Sequence, residues 1–230
     1  MGKKETIVLS LGGSLIIPDK VNYKFLHKFK SVLRKNYKKY KFVIICGGGA
    51  IARKYISALK EEHKNHRNLA DAGIRATRMN ALFLIQFFGK EANDTLPKDM
   101  KGLKSYLKKN SVVFSGSLRF TPDSTSDGTA AKLSYYLKTK FINLTDVSGL
   151  YNKDPKNNKN AKLINKISWN DFESKSKKIR FSAGQHFVLD QKASTIIKKH
   201  KITTYILGPN LGNLENVLKN KNFKGTLIKN

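Results

Sequence analysis

The sequence predicts an α/β fold in which parallel strands alternate with helices. Two continuous apolar runs, "TIVLSL" at 6–11 and "KFVIICGGG" at 41–49, each read as a buried strand that ends in a glycine turn. A segment with helical periodicity follows each turn, and such crossovers join parallel strands because a tight hairpin cannot. The 230 residues favour one large α/β unit or two closely packed lobes over independent domains.

In the first half of the chain, apolar residues three or four positions apart predict the helices. The first helix, 22–37, places Phe25, Phe29, Val32 and Leu33 on one face. Two more helices are predicted at 50–64 and 72–89, followed by a strand at 111–117. Because 72–89 is apolar over most of its length, we expect it inside the protein or at a subunit contact.

The second half of the chain continues the alternation. Ser126 or Asp127 lies at the expected N-terminus of a helix, where short polar side chains cap the first turn. Further predictions are helices at 126–138, 168–181 and 189–200 and strands at 140–149, 202–207 and 225–229, with an irregular polar stretch at 151–163. A seam near 115–125 is expected to separate two lobes of one domain (1–230), residues 1–116 and 117–230.

The chain is strongly basic, with a net charge of +29 and a pI near 10.1. A basic balance attracts nucleic acids and anionic ligands. Here the lysines are scattered among apolar residues at helical spacing, which favours a solvated basic surface. No nucleic-acid-binding module is recognisable, so nucleic acid is not the expected partner.

Cysteine usage and hydropathy indicate the compartment. Cys46 is the one cysteine, so an internal disulfide is impossible and a reducing environment is expected. The N-terminal segment has no apolar run of signal-peptide length, and no stretch approaches the roughly 18 apolar residues of a membrane span. These features predict a soluble, cytoplasmic protein with no membrane partner.

Three glycine turns predict phosphate binding: "SLGGSL" at 10–15, "CGGGAIAR" at 46–53 and "FSGSL" at 114–118. Where a strand leads through glycines into a helix, unpaired backbone N–H groups and the helix dipole favour an anion. Neither a dinucleotide fingerprint nor a P-loop is present. Arg53, one helical turn after the triple glycine, is placed either to close on a phosphate or to lie in solvent.

Together, the motifs resemble those of the amino-acid kinase superfamily, and within it the archaeal type of uridylate (UMP) kinase. They occur in the family's order over nearly the whole chain: "LGGSL" (11–15), "GGG" with "AR" (47–53), "GIRATRMNA" (73–81), "TSDGTAA" (125–131), "NLTDVSGLYNKDP" (143–155), "AK" (161–162) and "DQKAS" (190–194). The resemblance implies a three-layer αβα sandwich with a mostly parallel central sheet. It also implies Mg²⁺-dependent phosphoryl transfer from ATP, bound by the C-terminal lobe, to UMP, bound by the N-terminal lobe, in pyrimidine nucleotide biosynthesis, commonly by a homohexamer.

The resemblance also assigns residues to roles. The implied catalytic residues are Asp146, Lys162, Gly12 and Gly13. The implied ATP-binding residues are Ser10, Leu11, Gly12, Gly13, Ser14, Gly49, Arg53, Thr145, Asp146, Tyr151 and Asp154. The implied UMP-binding residues are Gly48, Asp71, Ser117, Thr125, Ser126 and Asp127, with residues 117–126 as the uridylate loop. No protein ligand of a metal is assigned.

The chemistry of phosphoryl transfer agrees with these roles, because the reaction needs alignment and charge neutralisation more than covalent help. Asp146 would position a lysine or a water bound to Mg²⁺. Lys162 would contact the β- and γ-phosphates. Asp127, at a helix start, has an alternative role as an N-cap.

The sequence departs from the family pattern at several positions. Ser10 stands where many relatives carry a lysine, and Ala50 stands where archaeal relatives can have another. Ala70 occupies the usual place of the acidic ribose-binding residue, with Asp71 shifted by one. The loop 117–126 carries Arg119 and Asp123 and is longer than usual.

Two alternatives therefore remain open. One is a related kinase acting on another small phosphate or carboxylate, such as isopentenyl phosphate or an amino acid. The other is a catalytically weak nucleotide-binding regulator, which the missing lysines would explain. Arg78 and "ATRMNA" favour the uridylate branch.

Overall fold

The computed structural model describes residues 4–118, 125–178 and 188–230. Within these ranges the strands form one sheet of seven strands in the order β3-β2-β1-β4-β6-β7-β5. The strands are β1 Glu5–Leu11, β2 Tyr40–Cys46, β3 Val112–Ser115, β4 Phe141–Leu144, β5 Lys166–Ile167, β6 Thr204–Leu207 and β7 Gly225–Ile228.

The sheet is mostly parallel, as predicted. β1 lies at its centre and pairs in parallel with β2 on one side and β4 on the other, with Leu9 opposite Ile44 and Ile142. Among the described strands the one antiparallel pair is β6 with β7, and an isolated antiparallel bridge joins Tyr151 to Leu163. Because the chain moves outward in opposite directions from β1, the carboxyl end of β1 is a switch point of the kind at which open α/β sheets bind ligands.

Helices cover both faces of the sheet. They are α1 Gly13–Ile16, α2 Tyr23–Asn36, α3 Gly49–Glu61, α4 His66–Phe88, α5 Met100–Lys109, α6 Ser126–Tyr136, α7 Trp169–Lys177, α8 Gln191–Lys199 and α9 Leu211–Leu218, with a 3₁₀ turn at Gly89–Glu91. Among the described residues, no helix combines the length and apolar character that a membrane span requires.

The strand pleat divides the hydrophobic core into two layers. Ile7, Leu9 and Leu11 of β1 pack with α2, α4 and α9, whereas Val8 packs with α5, α6, α7 and α8 on the opposite face. Alternate side chains of a strand point to opposite faces, so a continuous apolar run is what a strand buried on both sides requires. Cys46 is fully buried at the end of β2, and this burial raises the pKa of its thiol.

Most predicted elements are present, and the differences are shifted ends and short elements that were not predicted. α4 begins at His66, six residues before the predicted start at 72, because Asn65 accepts a hydrogen bond from the Asn68 N–H and caps the helix. Helices α5 and α9 were not predicted; Asp99 and Asn210 cap them. Residues 179–181 of the predicted helix 168–181 lie outside the described ranges.

Candidate active site

Two glycine turns meet at the carboxyl edge of the sheet. A Cβ atom added to Gly13 would lie 2.0 Å from the Gly49 nitrogen, and one added to Gly47 would lie 2.5 Å from the Gly13 nitrogen. Gly49 has a φ of +61°, the left-handed region that disfavours residues with a side chain. The turns therefore pack backbone to backbone, and this contact requires glycine.

The end of β4 joins the same corner. The Gly12 N–H donates to the Leu144 carbonyl at 2.8 Å, and a Cβ on Gly12 would lie 3.5 Å from the Thr145 Cα. The structure thus brings together three segments to which the family resemblance assigns phosphate-binding roles: 12–14, 47–49 and 145–146.

Arg53 points back toward the first glycine turn. Its Nη2 donates to the Pro18 carbonyl at 2.9 Å, and its Nη1 lies 3.5 Å from the Ser14 Oγ. These contacts favour the interpretation in which the guanidinium faces the phosphate path over the one in which it lies in solvent.

A carboxylate occupies the space beside Ser10, where many related kinases carry a lysine. The Ser10 Oγ, almost fully buried, donates to the Asp127 Oδ1 at 2.6 Å. Burial, and next the negative charge of Asp190, raise the pKa of Asp127 to about 7, against the opposing effect of the hydrogen bond from Ser10. Asp127 is therefore held at the site by a side-chain contact.

The alternative role of Asp127 as the N-cap of its helix is wrong, and Ser126 is not the cap either. Thr125 is the N-cap of α6, and its Oγ1 accepts a hydrogen bond from the Gly128 N–H at 2.9 Å. The Asp127 side chain is free to reach Ser10 because it is not engaged at the helix terminus.

Asp190 and Lys192 come to the same corner from α8. Asp190 is the N-cap of α8 and accepts from the Ala193 N–H at 2.8 Å. The Asn143 side chain on β4 donates to the Val188 carbonyl, which fixes the approach to this cap. The Cγ and Cδ of Lys192 lie 3.7 and 3.8 Å from where a Cβ on Gly128 would be, so the lysine stem crosses the first turn of α6.

A cavity of about 660 Å³ opens beyond the end of β4. Its lining includes four residues predicted to contact ATP, Thr145, Asp146, Tyr151 and Asp154. Lys156 also lines the cavity, and its Nζ lies 2.6 Å from the Asp146 Oδ2. The cavity volume suits a small nucleotide ligand.

The two lysines after the Asp-Pro turn occupy different positions. Lys156 lines the cavity, whereas Lys162 is exposed and is not among the lining residues. The backbone of Lys162 pairs with Asn152: its N–H donates to the Asn152 Oδ1 at 2.8 Å, and its carbonyl accepts from the Asn152 N–H at 3.1 Å. The lysine held against Asp146 is therefore Lys156.

On the acceptor side, Ser117 and Thr125 flank the predicted uridylate loop, whose residues 119–124, with Arg119 and Asp123, lie outside the described ranges. Ser117 is buried, and its Oγ has no hydrogen-bond partner among the described residues. Asp71 forms an ion pair with Arg75 at 2.8 Å on the surface of α4. Gly48 packs on α3 and α4, since a Cβ there would lie 2.5 Å from the Ala52 Cβ and 3.5 Å from the Ala76 Cβ.

The sequence model of the amino acid kinase family matches residues 5–208, most of the chain. The chain belongs to the amino acid kinase family.

Relatives within this family are similar along their whole length. A uridylate kinase from Thermococcus kodakarensis is 32% identical over 224 residues, which cover 96% of this chain and 98% of the relative. A uridylate kinase from Thermoplasma acidophilum is 34% identical over 226 residues, covering 97% and 96%. The crystal structure of uridylate kinase from Archaeoglobus fulgidus superposes with a TM-score of 0.83 at 30% identity, covering 96% of this chain and 99% of that one. The resemblance inferred from the motifs is confirmed.

For this amino acid kinase, the sequence missed Lys156, Asp190 and Lys192 as members of the site. "DQKAS" was recognised as a motif, and its aspartate at the start of a predicted helix was a signal that could have identified Asp190. No local signal separated Lys156 from its many neighbouring lysines, because only the fold of the 151–163 stretch brings it to Asp146.

Proposed function

We propose that this amino acid kinase is a uridylate kinase that transfers the γ-phosphoryl group of ATP to UMP and yields UDP and ADP. The observation that carries the proposal is the convergence of both glycine turns and the end of β4 at the carboxyl edge of β1. Relatives named uridylate kinase align with the chain from end to end, which supports the choice of reaction.

In this proposal the acceptor phosphate lies at the second glycine turn. The N–H groups at the start of α3 and the dipole of that helix favour an anion there. Gly48, Asp71, Ser117, Thr125 and Ser126 form the UMP site. The transferred phosphoryl group then passes Gly12, Gly13 and Ser14, and the two glycines allow close approach because they lack side chains.

The ATP phosphates lie at the end of β4. Thr145 and Asp146 contact them, Gly49 and Arg53 approach from the opposite side, and Tyr151 and Asp154 border the rest of the nucleotide. Ser10 and Leu11 complete the floor of the site. Lys156 is held at 2.6 Å from Asp146, so a small rotation of its side chain brings an ammonium to the phosphates. Lys162 remains the candidate that the family motif suggests.

Mg²⁺ fits the carboxylates at the junction of α6 and α8. Asp127 and Asp190 supply the hard oxygen donors that Mg²⁺ prefers. Burial, and next the negative charge of Asp190, raise the pKa of Asp127, and a bound cation would favour its ionised form. Among the described residues no group of three or more potential ligands is found, so substrate phosphates and water would complete the coordination. When bound, the metal would neutralise charge on the phosphates. We therefore assign Asp127 to the metal rather than to UMP.

We also propose that the protein is a homo-oligomer, with a hexamer as the family expectation. Met79 and Leu82 on α4 are 60% and 37% exposed, and Tyr23 is 61% exposed with its ring edge-on to Phe87. Contiguous exposed apolar side chains are typical of protein interfaces. A second copy of the chain is the proposed partner, and pyrimidine nucleotide synthesis in the cytoplasm is the proposed setting.

A catalytically weak nucleotide-binding protein is the second candidate. Ser10 favours it, because a hydroxyl bonded to Asp127 takes the place of a cation. Removing one good electrostatic contact costs roughly 10²–10³ in rate. Arg53, Lys156 and Lys192 are the cations that would compensate.

Turnover separates these functions. ADP release is measured with ATP and Mg²⁺ and, in turn, UMP, CMP, AMP and isopentenyl phosphate. UMP-dependent release well above that of the other acceptors supports the proposal, and release with isopentenyl phosphate alone contradicts it. Tight binding of ATP and UMP without turnover identifies the regulator.

A further inference from the structure

One turn of α4 contacts both loops of the acceptor side. Thr77, Arg78 and Asn80 lie within four residues of each other and hydrogen-bond to the backbone of residues 47–48 and 117–118. The glycine motifs gave no indication of a role for residues 77–80 of α4. Their contacts arise only because α4 packs across the ends of β2 and β3.

Asn80 fixes the orientation of the triple-glycine turn. It is 1% exposed, and its Nδ2 donates to the Gly47 carbonyl at 2.7 Å and to the Gly48 carbonyl at 3.1 Å. In a planar trans peptide the N–H points opposite to the C=O. With both carbonyls held toward α4, the N–H groups of Gly48 and Gly49 point away from that helix.

The rest of the Asn80 side chain supports this role. Its Oδ1 is buried and has no hydrogen-bond partner among the described residues. A buried acceptor without a partner destabilises a fold, because it has lost its hydrogen bonds to water. An apolar residue of similar size would avoid that cost, so the two donated bonds are what Asn80 contributes.

Thr77 and Arg78 hold the second loop in the same way. The Thr77 Oγ1 accepts from the Ser117 N–H at 3.1 Å, and the Arg78 Nε and Nη2 donate to the carbonyls of Ser117 and Leu118 at 3.0 and 2.9 Å. Gly116 packs directly on this turn, since a Cβ there would lie 2.6 Å from the Thr77 Oγ1. The start of the predicted uridylate loop is therefore fixed to α4.

We propose that Asn80 and Arg78 are positioning residues for the acceptor: Asn80 aims the N–H groups of the glycine turn at its phosphate, and Arg78 sets the loop that borders its nucleoside. The inference rests on the proposed function, in which UMP occupies this side of the cleft. It predicts that both residues affect acceptor use more than ATP use, because their hydrogen bonds hold residues 47–48 and 117–118 rather than the end of β4.

Asn80→Asp tests the first half of the proposal. The substitution keeps the shape of the side chain and puts a carboxylate against two carbonyl oxygens, so the glycine turn must reorient. We expect kcat/KM for UMP to fall by about 10- to 100-fold, as for a misplacement of about 1 Å, while KM for ATP stays within about twofold of wild type. Asn36→Asp is the matched control, since Asn36 is a buried asparagine that donates to the Val32 carbonyl within α2.

Amide hydrogen exchange provides a readout that does not depend on turnover. In Asn80→Asp, exchange should increase in the peptide containing Gly47–Ala50 and stay unchanged in peptides from β6 and β7. If wild-type protein fails to phosphorylate UMP, the proposed function is wrong, and this measurement still decides whether Asn80 holds the turn. A wild-type kcat/KM for UMP in Asn80→Asp, or a fall no larger than that of Asn36→Asp, would overturn the inference.

Arg78 gives a second test that does not require a buried substitution. Arg78→Gln should raise KM for UMP by about tenfold, the loss of roughly 1.4 kcal/mol, and Arg78→Lys should recover part of this loss. Arg34→Gln, which removes a surface ion pair with Glu91, is the control and should leave both KM values unchanged. Equal effects of Arg78→Gln on the KM values of UMP and ATP would contradict a role specific to the acceptor.

Discussion

At the residue scale, the position of each cation relative to the end of β4 decides its role. Asp146 and Lys156 form an ion pair at 2.6 Å beside the cavity, whereas the Lys162 side chain is exposed outside its lining. Both lysines follow the same Asp-Pro turn and look alike in the sequence. Charge-assisted contacts to phosphate strengthen as water is excluded. We therefore expect Lys156, which lines the cavity, to contribute more to the reaction rate than Lys162.

Alanine substitution of the two lysines tests this assignment. We expect Lys156→Ala to lower kcat/KM for ATP by about 10²-fold and Asp146→Asn to lower turnover more than UMP binding, because both groups face the donor phosphates. Lys162→Ala, measured in the same steady-state assay, should have the smaller effect. A larger loss in Lys162→Ala than in Lys156→Ala would show that the 151–163 stretch rearranges when nucleotide binds.

At the element scale, the contact between α1 and α3 determines the shape of the anion site. Gly13 is the position of closest approach, because a Cβ there would overlap the Gly49 nitrogen at 2.0 Å. Gly13→Ala should separate the two helix starts, abolish turnover and lower the free energy of unfolding by several kcal/mol, as measured by urea denaturation. Gly102→Ala in α5 is the control: its Cβ would make an ordinary contact, and we expect a gain of about 0.5–1 kcal/mol. Equal stability of the two variants would disprove the close packing.

A second element-scale contact joins α7 to α8 through Glu173. Its Oε2 accepts from the Lys198 Nζ at 2.7 Å and its Oε1 lies 2.9 Å from the Lys177 Nζ. The bond from Lys198, and next the bond from Lys177, lower the pKa of Glu173 from near 4.5 to about 2. Because α8 carries Asp190 and Lys192, this pair also supports the candidate active site.

The lowered pKa of Glu173 determines in which direction the free energy of unfolding changes with pH. A carboxyl group that is more acidic in the folded state stabilises the fold above pH 4.5 and loses this contribution as pH falls toward 2. Both lysines are about half exposed, so solvent screening limits the contribution to about 1 kcal/mol. Glu173→Gln should be less stable than wild type at pH 7, with the difference vanishing near pH 2 in urea titrations. Glu215→Gln, which removes a looser pair at 3.6 Å, should show little of this pH dependence.

The elements that the sequence predicted are those with a strong local signal. β1 and β2 are continuous apolar runs closed by glycines, and their burial on both faces makes that pattern distinctive. α5 was missed because its segment is dominated by lysines and only Leu103 and Leu107 are buried. Asp127, at the start of α6, was misread as a possible cap, since a cap and a site carboxylate share the same place in a sequence.

At the scale of the whole molecule, the order of the strands in the sheet could not be predicted from local sequence patterns. The position of β1 between β2 and β4 brings loops separated by more than 100 residues into one corner. Motif order and spacing implied this arrangement only through the family resemblance. Helix α4 shows most clearly what the sequence could not predict. Its apolar character was recognised, but which side faces the protein interior, with Asn80, and which faces solvent, with Met79, is known only from its packing in the fold.

The outward face of α4 leads to a prediction about assembly. Met79 and Leu82, 60% and 37% exposed, lie one turn apart on the side opposite Asn80, and partly buried Phe83 and Phe87 flank them. A second copy covering this face would remove apolar surface from water, which stabilises association by about 25 cal/mol per Å². Met79→Glu should therefore shift the protein to a smaller species in light scattering coupled to size exclusion, whereas Tyr135→Glu, at a 55% exposed tyrosine that stacks on His200, should not. If Met79→Glu retains the wild-type mass, α4 is not the interface. Because Asn80 and Arg78 lie on the same turn as Met79, loss of the partner should also raise KM for UMP more than KM for ATP.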